Sequence, residues 1–195
     1  MVSFRSAFST AALLLAATAT TDVEAHGYIR QPLVAFKGGR TTSNWIKEDK
    51  PAWAGFSSWN NYMNDFARIS KQKGYKTLRS FLENKGASCG YTEPNTTPRA
   101  IPRDGKVIFA HSNVGFVHPG PCELWLDNKM ILHKDNCQKA FPGVKAVMPV
   151  DFSSCKGTCM LRMYWLGFQD QGQRWQTYKY CVPVKKGGKR LLRDE

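Results

Sequence analysis

From residue 106 onward the chain breaks into short runs, 106 to 112, 122 to 127, 129 to 134, 145 to 151, 159 to 168 and 174 to 182. Gly, Pro, Asn and Asp separate them at close spacing, so the chain must turn back on itself every few residues. Such a pattern predicts a mostly β protein. The expected architecture is an immunoglobulin-like antiparallel β-sandwich, with helices and long loops inserted before residue 100. A sandwich dictates no chemistry, and function has to be sought in side chains on loops and strand ends.

Before residue 100 the pattern differs. Residues 26 to 56 hold Gly-, Pro- and Thr-rich connections with no sustained period, read as one extended strand followed by loops. Between Ser57 and Lys85 apolar residues recur at three and four: Trp59, Tyr62, Met63, Phe66 and Ile69. That spacing predicts an amphipathic helix after a Ser57-Ser58 cap. A shorter helix should follow, with Leu78, Phe81 and Leu82 inward and an end at Gly86. Trp45, Trp53 and Phe56 lie in or after the loops. In a small domain they are expected in the core, an exposed sugar-binding platform being the alternative. Asn95-Thr96-Thr97 is a glycosylation acceptor, which places Asn95 on an exposed loop.

Met1 to Ala25 reads as a secretory signal, with Arg5 in the n-region, an apolar stretch from Ala7 to Ala19, and small residues at Val23 and Ala25. It is too short to span a membrane. Cleavage after Ala25 would leave a domain over 26–183 and a basic tail over 184–195, expected to be disordered. His26 would then come first, offering an α-amino nitrogen and an imidazole together. Six cysteines, Cys89, Cys122, Cys137, Cys155, Cys159 and Cys181, follow the signal, and an even number in an oxidising compartment implies three disulfides. Fifteen pairings are open to six cysteines. Cys155 and Cys159 lack the second close pair or nearby His that zinc would need.

Removing the signal takes away Arg5, Asp22 and Glu24, moving the formal net charge from +13 to +14. So basic a chain favours an anionic partner, such as an acidic polysaccharide. A secreted location and the lack of any nucleic-acid-binding motif argue against nucleic acid.

Two further segments carry candidate chemistry. His118 stands in HPGPC, where Pro119 and Pro121 fix φ and Gly120 permits close backbone approach, so its imidazole is presented on a stiff turn. The last strand reads Gln176-Thr177-Tyr178-Lys179-Tyr180-Cys181. Its period of two puts Gln176, Tyr178 and Tyr180 on one face and Thr177, Lys179 and Cys181 on the other.

Taken together, a mature N-terminal His26 followed by Gly27, His118 within HPGPCELW, and the pattern Gln176-x-Tyr178-x-x-Cys181 resemble the lytic polysaccharide monooxygenases. The HPGPCELW stretch is most similar to the pectin-active auxiliary activity family 17. The resemblance spans residues 26 to about 182. It implies one copper ion cycling between Cu(II) and Cu(I), held equatorially by His26 and His118 with Tyr178 axial, and Gln176 beside it steering the oxygen species. It further implies an external electron donor, O2 or H2O2 as oxidant, and oxidative cleavage of glycosidic bonds in pectin or homogalacturonan. A secreted monomer with no nucleic-acid or membrane partner is expected. The donor set that the resemblance implies, three nitrogens and one oxygen in a tetragonal arrangement, favours Cu(II); independently of the resemblance, the positive charge suits polygalacturonate.

His111 is the reserve for His118, and Tyr180 for Tyr178; His133 is expected at the surface. Trp45, Trp53, Lys37, Arg40 and Lys47 are candidate substrate contacts. Two other classes stay open: a non-catalytic copper storage or transfer protein, and a basic module that binds wall polysaccharide without chemistry. Arg190-Leu191-Leu192-Arg193 with Asp194-Glu195 resembles a host-entry motif of secreted effectors, but it sits at the opposite end from the signal, and chance in a basic tail explains it better.

Overall fold

The computed structural model describes residues 27–39, 41–51, 53–111 and 114–187. The signal, His26, Arg40 and the tail from residue 188 lie outside the described residues. The chain is mostly β, with two antiparallel sheets. The first is three-stranded, ordered β1 (Tyr28–Gln31), β4 (Lys106–Ala110), β7 (Ala146–Pro149). The second runs β2 (Lys47–Asp49), β9 (Arg174–Lys185), β8 (Thr158–Gln169), β5 (Cys122–Leu126), β6 (Lys129–Lys134). A two-residue β3 (Arg99–Ala100) adds a parallel pairing, against the end of β9. The expected runs reappear within a few residues; β9 extends three residues further, and β4 ends before residue 111.

The β8–β9 hairpin is the longest element. Its two 12-residue strands pair without a bulge from Thr158 opposite Lys185 to Gln169 opposite Arg174. Alternation along it separates two cores. One face sends Leu161, Met163, Trp165, Tyr178, Tyr180 and Val182 against Ile29, Phe109 and Met148 of the first sheet. The other sends Tyr164, Leu166, Phe168 and Trp175 against α1 (Tyr62–Gln72) and α2 (Leu78–Leu82), which form a third layer. Apolar burial on both faces explains why β8 reads as an almost continuous apolar run.

The helices fall where the periodicity puts them, with a correction at the start. Trp59 adopts φ 89 and is 56% exposed, so it precedes the helix instead of joining its apolar stripe. The N-cap is Asn61, without a side-chain cap bond. Ser57 instead donates its backbone N–H to Asp65 Oδ2 at 2.9 Å, tying the entering loop to the first turn. Thr77 and Ser80 form a capping box on α2, whose Leu78, Phe81 and Leu82 are buried. Trp53 stacks on Phe66 at 5.6 Å and Phe56 meets Trp175 edge-on at 5.0 Å. These two aromatics are core and not a platform. Trp45 packs partly buried on the inter-sheet core. A one-turn helix, α3 (Cys137–Ala140), was not foreseen.

The cysteines pair Cys89–Cys181, Cys122–Cys137 and Cys155–Cys159. The first ties the loop before β3 to the outer face of β9 across 92 residues, a closure contributing on the order of 4 kcal/mol in the chain-entropy account. Asn95 is exposed in a bend. Among the described residues no helix is long and apolar enough to cross a membrane.

Candidate metal site

The turn holding His118 is strapped along β8. Phe168 donates its N–H to the Pro119 carbonyl at 2.8 Å, and Leu166 donates to that of Pro121 at 3.1 Å. Gly120, at φ 149, lies so close to this strand that a Cβ there would run into the Leu166 carbonyl oxygen. The glycine is therefore required by close approach. One step along β8, Gly167 provides the meeting point: a Cβ on it would lie 3.4 Å from His118 Cβ, 3.4 Å from Tyr178 Cε2 and 3.2 Å from Trp165 Cζ2. Trp165 stacks on Tyr178 at 4.3 Å between centroids, with the His118 ring 6.3 Å away on a nearly parallel plane. His118 and Tyr178, 60 residues apart in sequence, share one strand position.

The phenol of Tyr178 is buried and donates its hydroxyl hydrogen to Gln176 Oε1 at 2.8 Å. Burial, helped by Tyr180 and Glu48, pushes its ionisation far above the ordinary phenol range, so it is a neutral phenol throughout the working pH range. The Gln176 amide nitrogen donates to Glu48 Oε2 at 2.9 Å and, by a short hydrogen bond, to Gln169 Oε1. Glu48 is brought by the β2–β9 pairing, which sets it opposite Gln176. Arg174 faces it at 3.5 Å and bonds Asp170 at 2.8 Å. Gln176 is fully buried, and these bonds commit its amide to holding the phenol. Burial, and then the Arg174 charge, hold the His118 imidazole below its ordinary pKa and favour the neutral ring, with Asp170 and Glu48 opposing.

His26 lies outside the described residues, but its neighbour is fixed. Tyr180 donates its hydroxyl to the Gly27 carbonyl at 2.7 Å, and Gly27 is packed so tightly on Phe109 that a Cβ would meet the ring at 2.6 Å. Tyr180, the reserve for Tyr178, is thus buried as the anchor of the N-terminal segment, on the same face of β9 and two residues further on. Removing that hydroxyl leaves a buried carbonyl unpaired. Tyr180→Phe should lower stability by about 1–2 kcal/mol, read as a fall of roughly 2–8 °C in the thermal midpoint. An unchanged midpoint would show that the anchor contributes nothing.

His111 follows the β4 residue that pairs with Tyr28, and its ring lies 5.6 Å from the Tyr28 ring. His133 is half-exposed on β6 and contacts Glu123 and Asp135 instead. Among the described residues, no group of three His, Cys, Asp or Glu side chains could hold a metal, so a brace at His118 would need the nitrogens of His26. Of the candidate substrate contacts, Lys37 bonds the Gly90 carbonyl at 3.2 Å, Lys47 faces Asp49 at 3.6 Å, Trp53 is core, and Trp45 is half-buried. Trp165, Gly167 and Glu48 were not anticipated. Gly167 carried a signal, an isolated glycine inside an apolar strand, which marks close approach of another group. No protein-family model matches the chain, and no curated protein is significantly similar to it.

Proposed function

We propose that this protein is a secreted copper monooxygenase that cleaves an acidic wall polysaccharide, as its resemblance to the lytic polysaccharide monooxygenases implies. The observation that supports this reading most is the meeting of an imidazole, His118, and a buried phenol, Tyr178, at Gly167, with Gly27 tethered to Tyr180 two residues further along β9. The residues suit copper: the Tyr178 oxygen keeps acceptor capacity after donating to Gln176, and two imidazoles, an amine and one oxygen are a Cu(II) donor set. His118 and His26 would hold the ion, with Tyr178 at longer range. Bound copper would supply the one-electron oxygen chemistry that attacks a sugar C–H bond.

The chain's own residues supply orientation. Glu48 and Gln169 hold the Gln176 amide, Gln176 holds the phenol, and Trp165 fills the space behind it and keeps water out. The net positive charge would draw polygalacturonate toward the surface.

The copper-carrier reading gains one observation: the Gln176 amide donates to Glu48 and Gln169, so the steering role expected for it has no evident donor. Turnover separates the two. The secreted protein should begin at His26, give an axial Cu(II) paramagnetic resonance spectrum with nitrogen coupling, and release oxidised oligogalacturonides only when a reductant is added. Copper binding without fragments would leave the carrier; a different first residue, or no such spectrum, would remove both. Raising salt from 0.05 to 0.5 M, which shortens the screening length to a few ångströms, should weaken association with polygalacturonate. A salt-independent affinity would overturn the charge-steering argument.

A further inference from the structure

On the face of the second sheet opposite Trp165 and Tyr178, a cleft of about 750 Å³ opens between the helical layer and the β5–β6 end. The site described above makes no use of it. Its walls include Met63 and Phe66 of α1, Phe81 of α2, Pro121, and Met130 of β6. Aromatic edges and thioether sulfurs are surfaces on which a planar ring gains contact beyond simple area burial. The volume is that of a small-molecule site.

The polar groups around the cleft select the charge of its occupant. Glu123, in the wall, is buried and fully engaged: it accepts from the Leu78 N–H at 2.7 Å, the Arg79 N–H at 2.9 Å and Trp125 Nε1 at 2.8 Å, with His133 Nδ1 at 3.3 Å. Asp135 is engaged by His133 Nε2 at 3.0 Å. Both carboxylates thus have hydrogen-bond partners, but they share the single His133 imidazole. Lys71 and Lys76 also line the cleft, are exposed, and have no ion pair among the described residues. Among the described residues, the charged groups of the lining left without a bonding partner are these two ammonium groups, beside an apolar, ring-lined space. An anion can pair with them, whereas a neutral apolar molecule would leave the two ammonium groups unused.

We propose that this cleft binds a small aromatic carboxylate, its ring among Phe66, Phe81 and Met130 and its anionic group on Lys71 and Lys76. The inference does not rest on the copper reading, because it uses other residues and the opposite face of the sheet.

The test is a calorimetric titration of the copper-free secreted protein with trans-cinnamate, and with cinnamyl alcohol as a neutral probe of the same shape. Cinnamate should bind saturably and about tenfold more tightly than the alcohol, the scale of two exposed ion pairs. The double variant Lys71→Ala, Lys76→Ala, at exposed positions, should bring cinnamate down to the affinity of the alcohol and leave the alcohol unchanged. Met130→Trp, which fills the cleft, should weaken both. Absence of saturable binding, equal affinities for acid and alcohol, or a double variant that binds cinnamate as the parent does would overturn the proposal. So would a Met130→Trp protein of normal affinity. Loss of polysaccharide oxidation in a protein that still binds cinnamate would count against the copper reading alone.

Discussion

Replacing His118 with alanine should abolish tight copper binding while leaving the copper-free protein folded. The turn that carries the ring is fixed by backbone bonds from Phe168 and Leu166 and by the approach of Gly120 to β8, none of which uses the imidazole. The ring itself is half-buried, so the cost to the apo fold should stay near 1 kcal/mol, a few degrees in the thermal midpoint. On the copper reading a primary ligand would be removed, so affinity should drop by more than the roughly 10–100-fold that follows loss of an outer partner. Competition with a chelator of known affinity, alongside a thermal scan of the apo protein, measures both. Unchanged affinity with a normal scan would transfer the role to His111, which lies near the start of β1.

The second large effect concerns folding. Glu123→Ala should cost about 3–5 kcal/mol, a fall on the order of 10 °C in the thermal midpoint. The carboxylate replaces two missing backbone partners at the start of α2, satisfies the Trp125 indole and meets His133, and alanine leaves all of these unpaired. The same cluster sets a pH window. Bonds from His133, Arg79, Leu78 and Trp125 outweigh burial and hold the Glu123 carboxyl below its ordinary range, so its contribution is present above the unfolded value and is lost as the pH falls. The Glu123 bond raises the His133 imidazole, with a further pull from Asp135, so its contribution is complete below its ordinary value and is lost as the pH rises through the raised one. The clamp should be firmest in mildly acidic solution, between the ordinary carboxyl and imidazole values of about 4.3 and 6.5. Thermal scans carried from that range up through the raised imidazole value should show the alkaline decline shrinking in His133→Gln. A decline of the same size in that variant would rule out His133 as its source, and a Glu123→Ala midpoint within about 2 °C of the parent would refute the clamp.

The strands were legible because β pairing here is punctuated by residues with few conformational options, and the period of two on the last strand correctly brought Gln176 and Tyr178 together. Helical periodicity found the buried face of α1 but misjudged its start. Trp59 is in phase with the apolar stripe, yet a left-handed backbone places it before the first turn, and phase alone carries no φ. The disulfide pairs and the Glu48–Gln176 bond depend on which strands become neighbours, and β2 and β9 are about 125 residues apart in the chain. For the same reason the meeting of His118 with Tyr178 could be expected only through a resemblance, whereas the backbone at Gly167 makes it physical.

The unbroken pairing of β8 with β9 has a consequence for changes in length. Inserting or deleting one residue just after Gln176 would turn Lys179 toward the inter-sheet core and Tyr178 toward the helices, and would separate Cys181 from Cys89. Inserting two between Tyr178 and Tyr180 would keep the faces but carry the Gly27 anchor about 7 Å along the strand from the phenol. Substitutions in this segment can be graded by size and polarity, but its residue count has no neighbouring value that keeps the phenol, the N-terminal anchor and the disulfide in place together.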